Sequence, residues 1–140
     1  LGYHERVGGK AVQAFRETRK TALTEEERVR ALIRSDATPK ALNIGNQNKH
    51  ILESKGYIAG RSYIYGTLED AQALVTQYHG TGEIRFDQKG NWVHKEIIVL
   101  DRDIGTHISD VGVEDATNAF TIHYGKKGTH IVPTTRRDPK

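Results

Sequence analysis

The stretch that decides the fold is NAFTIHYGKKGTHIVP, which runs from Asn118 to Pro133. It begins with aromatic and β-branched residues, continues through a Lys-Lys pair with glycine on both sides, and ends in a second strand-forming run. Strand-forming runs separated by a short turn that contains glycine are typical of a β-hairpin. We therefore predict strands over 119–124 and 129–132.

The register of this hairpin determines where its two histidines lie. If the residues next to the turn pair with each other, His123 lies opposite His130, with Cβ atoms about 4.5–5.5 Å apart. Ile122 and Ile131 then form an apolar pair on the opposite face. One face could hold the fold while the other acts on an anion. A three-residue loop with a bulge would instead separate the histidines.

The composition indicates one small domain with a modest core. The chain has 140 residues, of which 36% are hydrophobic, and this favours a thin two-layer α+β fold over a deep barrel. The absence of cysteine excludes disulfides and thiolate metal sites. No apolar run approaches the ~20 residues of a membrane span and no signal peptide is visible, so we expect no membrane partner. Because the chain starts at Leu1 and contains no methionine, we expect a processed piece or fragment of a longer protein.

Helix signals dominate the first 40 residues. We predict that 1–36 is helical, with a capping box that begins at Thr24 and an apolar stripe after it. Because Pro39 disfavours helix in the residue before it, we interpret 1–40 as a helical lead-in or linker. The functional module would then occupy 41–135, followed by a flexible tail over 136–140.

The central part of the chain mixes helices with short strands. A short helix from about Asn46 to Gly56 would carry Lys49 and His50 in its first turns, where free N–H groups and the helix dipole favour an anion. Helices followed by a mainly antiparallel sheet indicate the α+β class. The other elements predicted here are a strand over 57–65, a helix over 67–79, strands over 83–86 and 92–100, and a polar loop over 101–115.

Positive charge gathers at the C-terminal end, although the net charge is only +3. A phosphate backbone could bind there, and a solubilising basic tail is the alternative. After residue 118 a single acidic residue, Asp138, accompanies the basic residues Lys126, Lys127, Arg136, Arg137 and Lys140.

Three histidines and three lysines form the first candidate site. Cleavage of RNA without a metal needs a base for the 2′-OH proton, an acid for the 5′-oxygen, and a cation that stabilises the phosphorane. Histidine titrates near neutrality and can serve as base or acid, and lysine supplies a fixed charge. The alternative is that hairpin histidines are solvated surface residues. The candidates are His50, His123, His130, Lys49, Lys126 and Lys127.

Arg61 and Ser62 form a second candidate site, with Tyr63 and Tyr65 next in the chain. A guanidinium beside a hydroxyl is suited to a phosphate, and a tyrosine ring can stack on a base. The alternative is an ordinary strand with a polar edge.

An acidic segment gives the third candidate, a site for a divalent cation. Oxygen and nitrogen ligands occur there at spacings that could hold a metal in a metal-dependent nuclease. They match neither an EF-hand nor an HExxH motif, so we favour a solvated acidic loop and expect no cofactor. The residues are Asp101, Asp103, His107 and Asp110.

Five separated motifs, in order, resemble the polymorphic toxin type 50 domain, which is found at the C-termini of bacterial toxins and of phage minor head (capsid) proteins. The resemblance covers about residues 41–135, and residues 1–40 more loosely resemble the end of a phage head-morphogenesis protein. The motifs are NIGNQNKHI (43–51), GRSYI (60–64), YHGTGEIRFDQKGNW (78–92), DRDIG (101–105) and IHYGKKGTHIVP (122–133).

The resemblance implies a fold of the barnase, EndoU, colicin and RelE ribonuclease group. That fold has N-terminal helices packed on a roughly four-stranded antiparallel sheet, with the active site on the open face. By position the resemblance implies catalytic roles for His50, His123, His130 and Lys127. It implies substrate-binding roles for the other residues of its motifs, namely Lys49, Arg61, Ser62, Tyr124 and Lys126.

Three functions follow, and the first is a metal-independent toxin-type endoribonuclease. The second is a non-catalytic nucleic-acid-binding module of a phage head protein, and the third is a DNase toxin. The expected partners are RNA or DNA, an immunity protein in the producing cell, and phage head proteins. The expected location is a phage virion, or a delivered toxin that acts in the target cell cytoplasm.

Overall fold

The computed structural model describes residues 23–139, so the helix predicted over the first 22 residues lies outside the described residues. The order of helices and strands confirms the α+β class. The helices are α1 (Glu25–Arg34), α2 (Ile44–Asn48) and α3 (Leu68–Tyr78). The strands are β1 (Tyr63–Ile64), β2 (Glu83–Phe86), β3 (Trp92–Val99), β4 (Gly105–Ile108), β5 (Glu114–Thr117), β6 (Ala119–Gly125) and β7 (Gly128–Thr134).

The principal sheet is antiparallel, with strand order β2-β3-β6-β7, which confirms the four-stranded sheet. A second antiparallel sheet has the order β1-β4-β5. The loop predicted over 101–115 is wrong, because β4 and the start of β5 lie within it. These strands are four residues long and largely polar, so their propensity is weak and they depend on pairing with each other.

Both long helices start at capping boxes. Thr24 accepts from the Glu27 N–H while the Glu27 carboxylate reaches back to Thr24, and Thr67 and Asp70 do the same. Val29 and Ile33 of α1 are buried in the same core as the sheet. The lead-in predicted over 1–40 therefore contributes a structural helix to the domain.

The short helix α2 differs from its prediction. It runs over Ile44–Asn48, because Asn43 already caps it by accepting from the Asn46 N–H. The chain then leaves the helix, and Ile51 forms a bridge with Ile64 of β1. Lys49 and His50 thus follow the helix instead of occupying its first turns. The predicted placement of these two residues at a helix N-terminus is wrong.

The strand predicted over 57–65 is also too long, because only Tyr63 and Ile64 are extended in a sheet. Turns occupy the preceding residues, where the Arg61 N–H bonds the Ile58 carbonyl and Gly60 has a φ of +86°. A positive φ favours glycine and interrupts a strand.

A buried carboxylate connects the sheet to the loop after α3. Glu96 of β3 is fully buried and accepts bonds from the N–H groups of Gly80 (3.0 Å) and Gly82 (2.7 Å). The Tyr124 hydroxyl of β6 donates to the same carboxylate at 2.7 Å. Burial and the Glu96 charge raise the pKa of Tyr124. Three donors offset the cost of burying this charge.

The residues after β7 also bond to the domain. The Arg137 N–H bonds the Asn118 side chain at 3.0 Å, and the Arg136 guanidinium pairs with Asp103. These contacts fasten the start of the segment predicted as a flexible tail.

In residues 23–139, no helix is long and apolar enough to cross a membrane.

Candidate active site

The closing hairpin has the first of the two registers considered from its sequence, without the bulged loop. Gly125 pairs with Gly128 around a two-residue turn, and His123 pairs with His130. Ile122 pairs with Ile131, and both side chains are fully buried on the opposite face. Alternation along the two strands therefore leaves both histidines on the face away from the core.

A third histidine extends this pair into a row. The ring centroids of His123 and His130 are 4.6 Å apart, with planes inclined by 12°. The His50 ring lies 6.1 Å from that of His130, at 8°. His130 is thus the middle of three nearly parallel imidazoles, hereafter the histidine row (His50, His130, His123).

Gln47 of α2 holds the His50 segment against the edge strand β7. Its side-chain amide bonds both backbone groups of Ile131, donating to the carbonyl at 3.0 Å and accepting from the N–H at 2.7 Å. β7 is the last strand of its sheet, and the fully buried Gln47 side chain satisfies the Ile131 backbone groups that no further strand pairs with. The two bonds from Gln47 to Ile131 thus hold His50 close to the closing hairpin.

Two hydrogen bonds to β1 and its preceding residue fix His50 itself. Its carbonyl accepts from the Ile64 N–H at 2.9 Å, and its Nδ1 lies 2.8 Å from the Ser62 carbonyl oxygen. Because a carbonyl can only accept, Nδ1 carries the proton in this bond. Neutral His50 therefore holds its lone pair on Nε2, and that nitrogen can take a proton.

The histidine row favours neutral imidazoles. Burial and the charges of His130, Lys95 and His50 lower the pKa of His123 to about 4. Burial, His50 and Lys49 lower the pKa of His130 to about 4. The pKa of His50 is also lowered, chiefly by burial, although its bond to Ser62 opposes the shift. Near neutral pH the free protein thus presents three uncharged rings.

Lys95 also belongs to this surface, although no sequence motif pointed to it. It pairs with His123 across β3 and β6, and its side chain is exposed. It follows a bulge at which His94 has a φ of +62°. Alternation along β3 puts it on the face opposite the buried Glu96, but the alignment with His123 depends on a cross-strand register that the sequence did not supply.

The structure brings some of the other predicted residues to the histidine row. The charges of Lys49 and Arg61 act on His50, so both lie close to it. Lys126 and Lys127 form the exposed turn beyond the His123–His130 pair. They are not among the cations that lower the histidine pKa values.

Ser62 and Tyr124 do not present their side chains to the row. The Ser62 hydroxyl is buried and accepts from the Ile108 N–H at 2.9 Å, so Ser62 contributes its carbonyl instead. Tyr124 is buried on the core face, bonded to Glu96. The alternation that buries Ile122 already placed Tyr124 beside it.

The acidic residues predicted as a possible cation site are not gathered in one place. Asp103 pairs with Arg136, and His107 lies opposite Asp115 in the β4–β5 ladder. Within residues 23–139, no group of three or more histidine, aspartate or glutamate side chains has the arrangement of a metal site.

Comparison with known proteins identifies one family. The family model described as bacterial toxin 50 matches residues 42–133, which includes every residue of the histidine row as well as Lys95. A search of curated proteins finds no match.

Proposed function

Because this chain belongs to the bacterial toxin 50 family, we propose that it is a metal-independent endoribonuclease whose histidine row cleaves RNA. The observation that carries this proposal is the row itself: three nearly parallel imidazoles on one face, with centroids 4.6 and 6.1 Å apart. The charge of Lys49 acts on His50 and His130, and the charge of Lys95 acts on His123. The neutral histidines can accept and donate the protons that RNA cleavage transfers, and the lysines can stabilise the negative charge of the phosphate.

His50 is the proposed general base. Its Nδ1–H is committed to the Ser62 carbonyl, so Nε2 accepts the proton of the ribose 2′-OH. The 2′-oxygen then forms a bond to phosphorus while the bond from phosphorus to the 5′-oxygen breaks. The products are a 2′,3′-cyclic phosphate and a free 5′-hydroxyl.

His123 is the proposed general acid, and it acquires its proton when the substrate binds. A phosphate near an imidazole raises the imidazole pKa because opposite charges favour the protonated form. His123 and His130 are neutral in the free protein, so an RNA phosphate would draw protons onto them. His123 then protonates the departing 5′-oxygen, while His130 and Lys95 stabilise the phosphorane.

Cleavage of RNA in the presence of EDTA tests the proposal. We expect wild-type cleavage to persist, and His123→Ala to reduce it by about 10²–10⁴-fold, the usual contribution of a positioned acid or base. His94→Asn is the matched control. His94 lies outside the row at a positive φ, which asparagine tolerates, so its replacement should leave the rate unchanged.

The other outcomes point to the alternative functions. Strict dependence on added magnesium would overturn the metal-independent mechanism. Tight binding of RNA and DNA that leaves both intact would indicate a nucleic-acid-binding module. Cleavage of an all-deoxy strand would indicate a DNase, because DNA lacks the 2′-OH nucleophile.

A further inference from the structure

Three tyrosines in and around β1 form an aromatic surface that the proposed chemistry does not use. The Tyr63 ring contacts Tyr57 edge-on, with centroids 6.1 Å apart, and Tyr65 at a tilt, with centroids 6.2 Å apart. Tyr65 is 44% exposed, and the other two rings are half-buried. A cluster that served only as core would be covered, so these rings offer faces to a ligand.

This tyrosine cluster (Tyr57, Tyr63, Tyr65) is connected to the proposed base through the backbone of β1 and of the residue before it. Tyr63 stands between Ser62, whose carbonyl bonds the His50 ring, and Ile64, whose N–H bonds the His50 carbonyl. A movement of β1 would therefore move both His50 and Tyr63. A ligand that spans the two would be held in a fixed position relative to the base.

A cavity of about 260 Å³ opens against the same rings. Tyr63 and Tyr65 line it together with Leu52, whose side chain is 48% exposed. A planar aromatic ring fits such a space and can stack on tyrosine. The cavity is mainly apolar, which excludes a phosphate as its preferred occupant.

The charges around the cluster orient a polynucleotide. Glu53 borders the cavity, and the Glu114 charge acts on Tyr57, so carboxylates lie close to the cluster. Arg61 and Lys49 lie on the side of His50. Phosphates are therefore attracted towards the histidine row and repelled from the cavity, which leaves the cavity for a base.

We propose that the tyrosine cluster binds an unpaired nucleobase of the RNA whose phosphate lies on the histidine row. The inference rests on the proposed function, and it specifies the substrate as single-stranded. A base inside a duplex is stacked and paired on both sides, so it cannot enter the cavity, whereas an unpaired base can stack on an aromatic ring.

Binding of a short 2′-O-methyl RNA tests this site separately from cleavage, because the blocked 2′-oxygen cannot attack. One abasic position is moved along a single-stranded tetranucleotide, and affinity is measured by fluorescence anisotropy. We expect one position at which loss of the base weakens wild-type binding by about tenfold, the typical contribution of one stacked base. In Tyr63→Leu that difference should disappear, while Tyr63→Phe should retain it.

Each contrary result is decisive. The base site would be overturned if no abasic position weakened binding, or if Tyr63→Leu showed the same abasic loss as wild type. Equal affinity for a blunt duplex would also overturn it. If Tyr63→Leu unfolds, the same binding measurements are made with Tyr65→Leu, which changes the more exposed ring. Failure of the proposed nuclease would appear differently, as intact unmodified RNA alongside normal base-dependent binding.

Discussion

His123 and His130 face each other across β6 and β7, with ring centroids 4.6 Å apart and planes inclined by 12°. Burial disfavours protonation of both rings, and the charge of His130 adds to this effect at His123. The same property that keeps them neutral in the free protein makes them responsive to an anion. The predictions below follow from that relationship and from the contacts that support it.

Acid should destabilise the fold between pH 6.5 and about 4. The folded pKa of His123 and of His130 is about 4, below the value of 6.5 expected for an unfolded histidine. In this window the unfolded chain binds more protons, so the free energy of unfolding falls as the pH falls. Above pH 6.5 the contribution is fully present. Urea denaturation at several pH values measures it, at about 1.36 kcal/mol per pH unit for each proton.

The double variant His123→Asn, His130→Asn is the control for this slope. Carboxylates also titrate below pH 5, but they are unchanged in the variant, so the difference between the two curves isolates the histidines. Equal slopes for both proteins from pH 6.5 to 4 would show that these rings are not held neutral by the fold.

Lys95→Ala should lower the cleavage rate and raise the pKa of His123. Lys95 pairs with His123 across the sheet, and its charge is one cause of the lowered pKa. We expect a loss of kcat of about 10–100-fold, since a fixed cation near the phosphorane stabilises developing charge. NMR titration of the His123 ring protons measures the pKa directly.

Lys127→Ala is the matched control for that variant. It removes one positive charge from the exposed turn beyond the histidine pair, so we expect weaker, salt-dependent RNA binding with little change in kcat. If Lys127→Ala lost as much kcat as Lys95→Ala, Lys127 would be a cation that stabilises the phosphorane, contrary to this prediction.

Tyr124→Phe should lower stability without affecting catalysis. The Tyr124 hydroxyl donates at 2.7 Å to the fully buried Glu96 carboxylate, whose remaining donors are backbone N–H groups of Gly80 and Gly82. Loss of a bond to a buried charge costs about 1.5–3 kcal/mol. Denaturation curves give the stability, and cleavage per folded molecule should match wild type.

Tyr65→Phe provides the comparison for Tyr124→Phe. It loses a hydroxyl bond to Thr106 at a partly exposed position, so its cost should stay below about 1 kcal/mol. A large fall in cleavage for folded Tyr124→Phe would instead support the substrate contact expected from the sequence resemblance.

The parts of the fold that were predictable carry strong local signals. Thr24 and Thr67 start their helices through capping boxes that need only four consecutive residues. The hairpin was predictable because glycines bracket Lys126 and Lys127 and because β-branched and aromatic residues alternate with polar ones, while the choice between its two registers came from the structure. Both signals are local, so no knowledge of the rest of the chain was required.

The parts that were not predictable depend on distant partners. β4 and β5 are short and polar, and they become strands only by pairing. α2 ends early because the following residues bond to β1, and His50 reaches the hairpin because Gln47 bonds Ile131, 84 residues away. Lys95 joined the site through a cross-strand register. In each case the deciding contact is long-range.

The chemical form of the RNA product tests the central claim most directly. An oligoribonucleotide is incubated with the protein in EDTA, and the new ends are identified by mass spectrometry. The histidine row predicts a 2′,3′-cyclic phosphate and a 5′-hydroxyl, with cleavage blocked by a single 2′-deoxy substitution at the scissile nucleotide and lost in His50→Ala and His123→Ala. A 3′-hydroxyl with a 5′-phosphate, or undiminished cleavage at the 2′-deoxy position, would contradict it.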